Sequence, residues 1–234
     1  MAEARSIATP MVSGPLLSAR QGEHFSDVHL YRSIVGALQY ATLTRPEISF
    51  SVNKACQFMH SPTLIHWQLV KRILRYLKGT IDHGLFLAKP ITFSLHGYAD
   101  EDWASDPDDR KSTSGFCVFF GGNLVTWGSK KQSIISRSST EAEYRCLATT
   151  VTELCESGSA LQDQHVELDI YFVCDLVLKK KLLVYHLLAS NQIADVLTKP
   201  LFAVNFNRLK FKLNVRDPSS IGLRGVLRQL TDIL

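Results

Sequence analysis

No stretch of this chain approaches the roughly eighteen uninterrupted apolar residues that a membrane-spanning helix needs. The opening "MAEARSIATPMVSGPLLSARQGEHF" also lacks the apolar block of a secretory signal. Cysteine is sparse. Cys56, Cys117, Cys146, Cys155 and Cys174 are odd in number and form no C-x-x-C spacing, which argues against a zinc site or a disulfide framework and for small buried side chains. Charge of one sign is missing in bulk as well: a net +4 attracts an anionic partner only weakly unless the bases cluster. No internal repeat is visible. These absences lead to the expectation of a soluble intracellular protein, cytoplasmic or nuclear. With 45% apolar and 21% charged residues among 234, the chain has material for one large domain or two small ones.

Residues 1–26 mix Ser, Pro and Gly without a sustained period and read as a flexible lead-in. "SDVHLYRSIVGALQYATLTRP" then offers Ser26 as a helix cap, a stripe of Leu30, Ile34, Ala37, Leu38 and Ala41, and Arg45-Pro46 as a stop. A second short helix follows from Pro46. A third, "TLIHWQLVKRILRYLKGT", is capped by Ser61 and closed by Gly79. Its stripe is Trp67, Val70, Ile73, Leu74 and Leu77, and Lys71, Arg72, Arg75 and Lys78 fall mostly on the other side. Those four bases suit either a solvated face or contacts to nucleic-acid phosphates.

From about residue 84 the period changes to two. "GLFLAKPITFSLHGYAD" and "TSGFCVFFGGNLVTWGSKKQS" predict a three-stranded antiparallel meander with a Gly-Gly-Asn turn. Helical spacing returns at Tyr144, Leu147, Ala148, Val151 and Leu154. After the polar break "SGSALQDQ", the segment "HVELDIYFVCDLVLKKK" looks helical, "LLVYHLL" reads as a short strand, and "SNQIADVLTKP" as a capped helix stopped by Pro200.

Six carboxylates stand in "HGYADEDWASDPDDRKSTSG", residues 96–115. A calcium loop is excluded, because Ala104 replaces a ligand and no Gly follows at 105. Asp106, Asp108 and Asp109 suit turn positions, where an Asp side chain bonds its own backbone. Asp100 has no such excuse: it ends a strand with a buried face, where an ionised carboxylate needs a cation or donors. Beside other carboxylates it would favour a hard divalent cation such as magnesium. Candidate partners are Glu141 or Glu143 near one helix start and Asp195 near another. Both glutamates fit capping-box spacing, with Ser138 and Thr140 respectively, so spacing alone does not choose between them.

The segments "YRSIVGALQYATLTRPEISFSVNKACQFMHSP" and "HWQLVKRILRYLKGT" resemble the region just after the polymerase core in copia-type retrotransposon Pol polyproteins. "GYADEDWASDPDDRKSTSG", "VTWGSKKQSIISRSSTEAEY" and "NQIADVLTKPL" resemble the ribonuclease H domain that follows it there. The likeness covers nearly the whole chain in family order. It implies an α/β, ribonuclease H-like fold, a mixed sheet with flanking helices, that hydrolyses the RNA strand of an RNA/DNA hybrid with divalent metal, Mg2+, held by four carboxylates. Matched motif by motif, Asp100 corresponds to the acid of the first strand, Glu143 to the helical glutamate and Asp195 to the acid of the last catalytic helix, which leaves Glu141 as a cap.

The family's fourth acid belongs to a Cys-Asp-Asn motif on the central fourth strand, and no such motif stands in the matching place. "VCDL", residues 173–176, imitates it but lies in the part resembling a later helix, so the role does not pass to Asp175. The resemblance therefore implies an internal deletion near residues 156–165, a missing central strand and a weakened metal site. The implied division is a lead-in (1–26), a reverse-transcriptase thumb-like helical segment (27–83), a ribonuclease H-like domain with the deletion (84–200) and a tail (201–234). The polymerase's catalytic aspartates are expected upstream of the matching segment, so this stretch is expected to lack DNA synthesis. Lys71, Arg72, Arg75 and Lys78 become expected backbone contacts to an RNA/DNA hybrid or other nucleic acid. Two readings follow: a polyprotein remnant whose ribonuclease H-like domain is inactive, or a non-catalytic nucleic-acid-binding module that also uses Lys179, Lys180 and Lys181.

Overall fold

The computed structural model describes residues 4–14, 16–90, 92–155 and 166–218. The deletion inferred near residues 156–165 and the end of the tail lie outside the described residues. In chain order the elements are α1 (Val28–Ala41), α2 (Ser49–Gln57), α3 (Leu64–Gly79), β1 (Gly84–Leu85), β2 (Leu95–Asp102), β3 (Thr113–Phe120), β4 (Asn123–Lys131), α4 (Ser139–Cys155), α5 (Val166–Leu178), α6 (Ala203–Lys212) and β5 (Val215–Arg216). Single 3-10 turns occupy Pro46–Ile48, Ala189–Asn191 and Ile193–Leu197. The architecture is mixed α/β with small antiparallel sheets. The chain divides into two compact units, one of Met1–Ser13, Gly22–Leu87 and Leu201–Leu234, the other of Gly14–Gln21 and Ala88–Pro200.

The first unit is helical. Asp27, rather than the expected Ser26, caps α1 by accepting from the Leu30 backbone N–H at 2.8 Å. The buried face of α1 is Tyr31, Val35 and Leu38, turned by one residue from the expected stripe, and Leu30 lies exposed. The reason is the Tyr31 hydroxyl, which donates to the Ala55 carbonyl at 2.8 Å and so makes its large ring cheap to bury. The helix α3 buries a face that is also one residue from the expected stripe, in the opposite sense. Its cap is Thr63, in a capping box with His66, and its buried residues are His66, Leu69, Val70, Ile73 and Tyr76. His66 Nδ1 accepts from the Thr63 N–H at 3.0 Å, and the ring stacks on Phe58 with centroids 3.7 Å apart. The two-residue strands β1 and β5 pair antiparallel, and Phe206 of α6 meets the Tyr76 ring edge-on.

A buried ion pair lies in this core. Arg45 and Glu47 flank Pro46 at 6% and 1% exposure, and Arg45 Nε donates to Glu47 Oε1 at 2.7 Å. The guanidinium also donates to the carbonyl and the hydroxyl of Thr80 after α3, and Tyr76 Oη donates to Glu47 Oε1 at 3.1 Å. The Arg-Pro-Glu turn is thereby fastened to the end of α3.

The second unit carries the predicted meander, in the order β2-β3-β4. Gly121 and Gly122 form its two-residue turn with φ of +56° and +83°, a backbone region costly for residues with a Cβ. The helix α4 packs over β2 and β3, and α5 rests on α4 through Ala148, Val151 and Val173. Cys117 and Cys146 are buried as expected, whereas Cys56 is half-buried and Cys174 exposed.

Two expectations fail here. Residues 182–188, "LLVYHLL", do not form a strand: they run without regular structure, with Leu183 71% and Tyr185 79% exposed. A strand needs a ladder to satisfy its backbone, and this segment pairs with none of the described strands. The "SNQIADVLTKP" segment forms two 3-10 turns in place of a capped α-helix. Gln192 stands between them in extended conformation, and its side chain accepts from the Ala194 N–H.

Replacing Arg45 by Met leaves Glu47 buried without its cation, and the expected cost is about 3–5 kcal/mol. Urea unfolding followed by far-ultraviolet circular dichroism measures it. The double variant R45M/E47L is expected to recover most of the loss.

Candidate functional site

Site formation begins at β2. Asp100 pairs across the ladder with Gly115 of β3. A Cβ at Gly115 would fall 2.6 Å from Thr198 Cγ2 and 2.8 Å from Leu197 Cβ, so this position must be glycine for the 193–198 turn to seat on the sheet. The seat brings Thr198 and Lys199 onto Asp100. Thr198 Oγ1 donates to Asp100 Oδ2, and Lys199 Nζ stands 3.2 Å from the same oxygen and 2.9 Å from Asp195 Oδ1. The seat is reinforced on either side: Gln192 Nε2 donates to the Ala99 carbonyl at 2.9 Å, and Cys146 Sγ donates to the Asp100 carbonyl at 3.0 Å.

The three acids predicted from the sequence are therefore treated unequally. Asp100 and Asp195 are brought together, with side chains only 16% and 17% exposed, and share one ammonium. Burial pushes the Asp195 carboxyl up, and so does neighbouring Asp100, against the opposing hydrogen bond from Lys199. Burial alone would lower the Lys199 amine, but the two carboxylates outweigh it and hold it above its ordinary value. Glu143 stays exposed in the first turns of α4. Glu141 is the cap, as expected: its N–H donates to Ser138 Oγ at 3.1 Å, and its carboxylate takes the Arg137 N–H and Arg145.

Sequence reasoning missed Glu101. Its carboxyl is pushed up to about 7, first by burial and then by the charges of Glu143, Asp100 and Asp102, and its Oε2 is buried without a hydrogen-bond partner. Strand alternation points Glu101 away from Asp100, so a pattern-based reading leaves it in solvent. Lys199 was missed too, although its four-residue spacing from Asp195 was there to be read.

The other acids of the 96–115 stretch are structural. Asp106 is 3% exposed and its side chain accepts from the N–H groups of Asp108 and Asp109. Lys131 Nζ lies 2.8 Å from Asp106 and 2.9 Å from Asp109. Asp108 accepts from Ser18 and from the Ala19 N–H.

Among the predicted bases in the first unit, Lys71 is exposed, Arg72 donates to Thr9 Oγ1 at 2.8 Å and Lys78 donates to the Ala4 carbonyl at 3.0 Å. Arg75 is half-buried, with Nε lacking a hydrogen-bond partner. Asp175 is exposed on α5, paired to Lys179 at 2.7 Å. No described helix is long and apolar enough to cross a membrane.

Comparison with known proteins defines the class. The chain is 42% identical over 260 residues to the retrovirus-related Pol polyprotein from transposon RE2 of Arabidopsis thaliana, covering 97% of this chain and 18% of that protein. To the polyprotein from transposon RE1 of the same plant it is 41% identical over 252 residues, 94% of this chain and 17% of the relative. To that from transposon TNT 1-94 of Nicotiana tabacum it is 33% identical over 202 residues, 72% of this chain and 15% of the relative. No family model and no solved structure matches the chain. The chain belongs to the copia-type retrotransposon Pol polyproteins, corresponding to a C-terminal part. It spans less than a fifth of the length of these relatives.

A divalent ion, the cofactor this resemblance implies, does not fit the donor set as arranged. Asp100 and Asp195 direct oxygens onto the Lys199 ammonium, and Thr198 takes a further share of Asp100. Among the described residues no group of three His, Cys, Asp or Glu is placed to hold a metal.

Gly115→Ala is expected to unseat the 193–198 turn at a cost of about 1–3 kcal/mol, read as faster amide hydrogen exchange at Ala194–Lys199 and a lower urea midpoint. Glu101 tests the electrostatics. Because its folded value lies above the ordinary 4.5, its contribution is complete below about pH 4.5, where folded and unfolded chains both hold the proton, and is lost as pH rises through about 7. In chelator-containing buffer E101Q should exceed the parent by about 1–2 kcal/mol near pH 8, after discounting for its half exposure, and match it near pH 4.

Proposed function

We propose that this chain is a polyprotein segment made of a thumb-like helical part, residues 27–83, and a degenerate ribonuclease H-like domain, residues 84–200, that does not hydrolyse RNA/DNA hybrid. Asp100, Glu143 and Asp195 are then what remains of a four-carboxylate metal site, with Mg2+ as the ancestral cofactor, now weakly held or excluded. The observation that carries the reading is the single ammonium of Lys199 shared by Asp100 and Asp195, at 3.2 and 2.9 Å. Two-metal hydrolysis needs cations on both the attacking and the leaving oxygen, and a carboxylate neutralised internally has little left for either.

The strand that the resemblance implies is absent belongs to the same reading. The alignment with the RE2 polyprotein runs over 260 positions, more than the 234 residues of this chain, so that relative carries residues in the span that this chain lacks. The unit containing the acids has a three-stranded described sheet, and "LLVYHLL" in the same unit stays unpaired. The partner on this reading is RNA/DNA hybrid or another nucleic acid, held by phosphate contacts, with Lys71 exposed for the purpose and Arg72, Arg75 and Lys78 more confined.

The test is incubation of purified protein with labelled hybrid in millimolar Mg2+ or Mn2+, together with a salt titration of binding. Retention of hybrid that weakens as salt rises, with no RNA cleavage, is expected. Cleavage that Asp100→Asn abolishes would overturn the reading.

A further inference from the structure

We propose that Lys199 is the resident cation of this site: its ammonium does the charge neutralisation that a divalent ion would otherwise supply, so that the 88–200 unit is stable without metal. The inference deepens the reading above and rests on it. Three features of the structure carry it.

The first is placement. Asp195 and Lys199 lie four residues apart, and the turn that ends at Leu197 puts the carboxylate and the ammonium within 2.9 Å. Asp100 arrives from β2, a separate element, and meets the same ammonium at 3.2 Å. One cation thus bridges two carboxylates from different parts of the chain, the geometry expected of a bridging metal ligand set with nitrogen at its centre.

The second is the environment. The two carboxylates are largely withdrawn from water, at 16% and 17% exposure, so each would be costly if left ionised and unpaired. Lys199 keeps 35% of its side chain in solvent, and the two carboxylates outweigh the burial of the rest, holding the ammonium charged. A flexible aliphatic stem carrying a compact charge suits this role better than a rigid fork would.

The third is steric support. Gly115 leaves room for Leu197 and Thr198 to lie on β3, and Thr198 donates to the Asp100 oxygen that faces Lys199. Gln192 fixes the same turn to the Ala99 carbonyl. The groups facing the ammonium are Asp100 and Asp195; Glu101 also feels its charge and is itself raised by Glu143, Asp100 and Asp102.

The experiment uses the full chain and reads metal binding and stability, not cleavage. Mn2+ uptake is followed by electron paramagnetic resonance, Mg2+ uptake by titration calorimetry, and the thermal midpoint is measured in EDTA and in millimolar Mg2+. The parent and Lys199→Arg are expected to show equal midpoints in EDTA and Mg2+ and no saturable uptake. Lys199→Met is expected to have a lower midpoint in EDTA, to regain it on adding Mg2+, and to bind Mn2+ about tenfold or more tighter than the parent, the scale on which removing a nearby opposite charge acts.

Saturable Mg2+ uptake by the parent with a raised midpoint would overturn the proposal. So would a Lys199→Met protein with the parent's midpoint and no response to metal. Should Lys199→Met fail to fold, the double variant K199M/D195N, which removes an acid together with the ammonium, is expected to fold without metal; its failure too would sink the assignment of a charge-balancing role. Metal uptake by the parent defeats this inference alone, whereas hybrid cleavage lost in Asp100→Asn defeats the reading beneath it.

Discussion

Two carboxylates drawn out of water on separate backbone segments repel one another, and the candidate site of the unit formed by residues 14–21 and 88–200 is organised around that repulsion. At an effective dielectric constant near 20, two unit charges about 4 Å apart interact by roughly 4 kcal/mol, comparable with a large part of a domain's net stability. Asp100 and Asp195 can occupy their places only if something cancels that energy. The ammonium of Lys199 cancels it for both, and in doing so ties the 193–198 turn to strand β2. Charge and architecture are therefore the same fact here: the contact that neutralises the acids is also the contact that holds the turn.

The turn could not reach the strand without Gly115. That position lies opposite Asp100 on the ladder, and any side chain there would collide with Leu197 and Thr198. The residue matters through what it leaves out. Around it, polar groups of β2 find partners that are not strands: Gln192 serves the Ala99 carbonyl and Cys146 the Asp100 carbonyl. Such side-chain bonds satisfy backbone that an additional strand would otherwise pair. Residues 182–188 receive no equivalent service, which is why an apolar sequence suited to a strand lies exposed and irregular.

Much of this was legible in the sequence wherever a single local rule decided the outcome. The meander with its Gly-Gly turn, the cap at Ser138 and Glu141 and the Asp turns at 106–109 all follow from period, spacing and turn chemistry. Both long helices of the first unit were located, but their buried faces were assigned one residue out. The cause is common to both. Tyr31, His66 and Tyr76 are buried because each finds a polar partner, in Ala55, Thr63 and Glu47, and a count of apolar residues cannot see such partners. At the site, Asp100 stands out in the sequence because a carboxylate at its strand position demands an explanation, and Asp195 through the motif resemblance. Lys199, Thr198 and Gly115 do not, since their roles exist only once strand and turn are brought together.

Glu101 completes the charge accounting. Five carboxylates, Asp100, Glu101, Asp102, Glu143 and Asp195, form one connected set of like charges, yet one ammonium stands among them. The excess is resolved by two further routes. Glu101, half-buried and surrounded by like charge, has its carboxyl raised to about 7 and so holds a proton through the mildly acidic range. Glu143 remains at the surface, where water screens it. Ammonium, proton and solvent thus each dispose of part of the negative charge. A divalent ion would replace all three at once, but only if Lys199 withdrew, Glu101 released its proton and Glu143 gave up its hydration. On the function proposed above, each of those steps opposes metal binding on its own, so the weak cation affinity expected of this site is distributed over several side chains and does not reduce to the loss of any one acid.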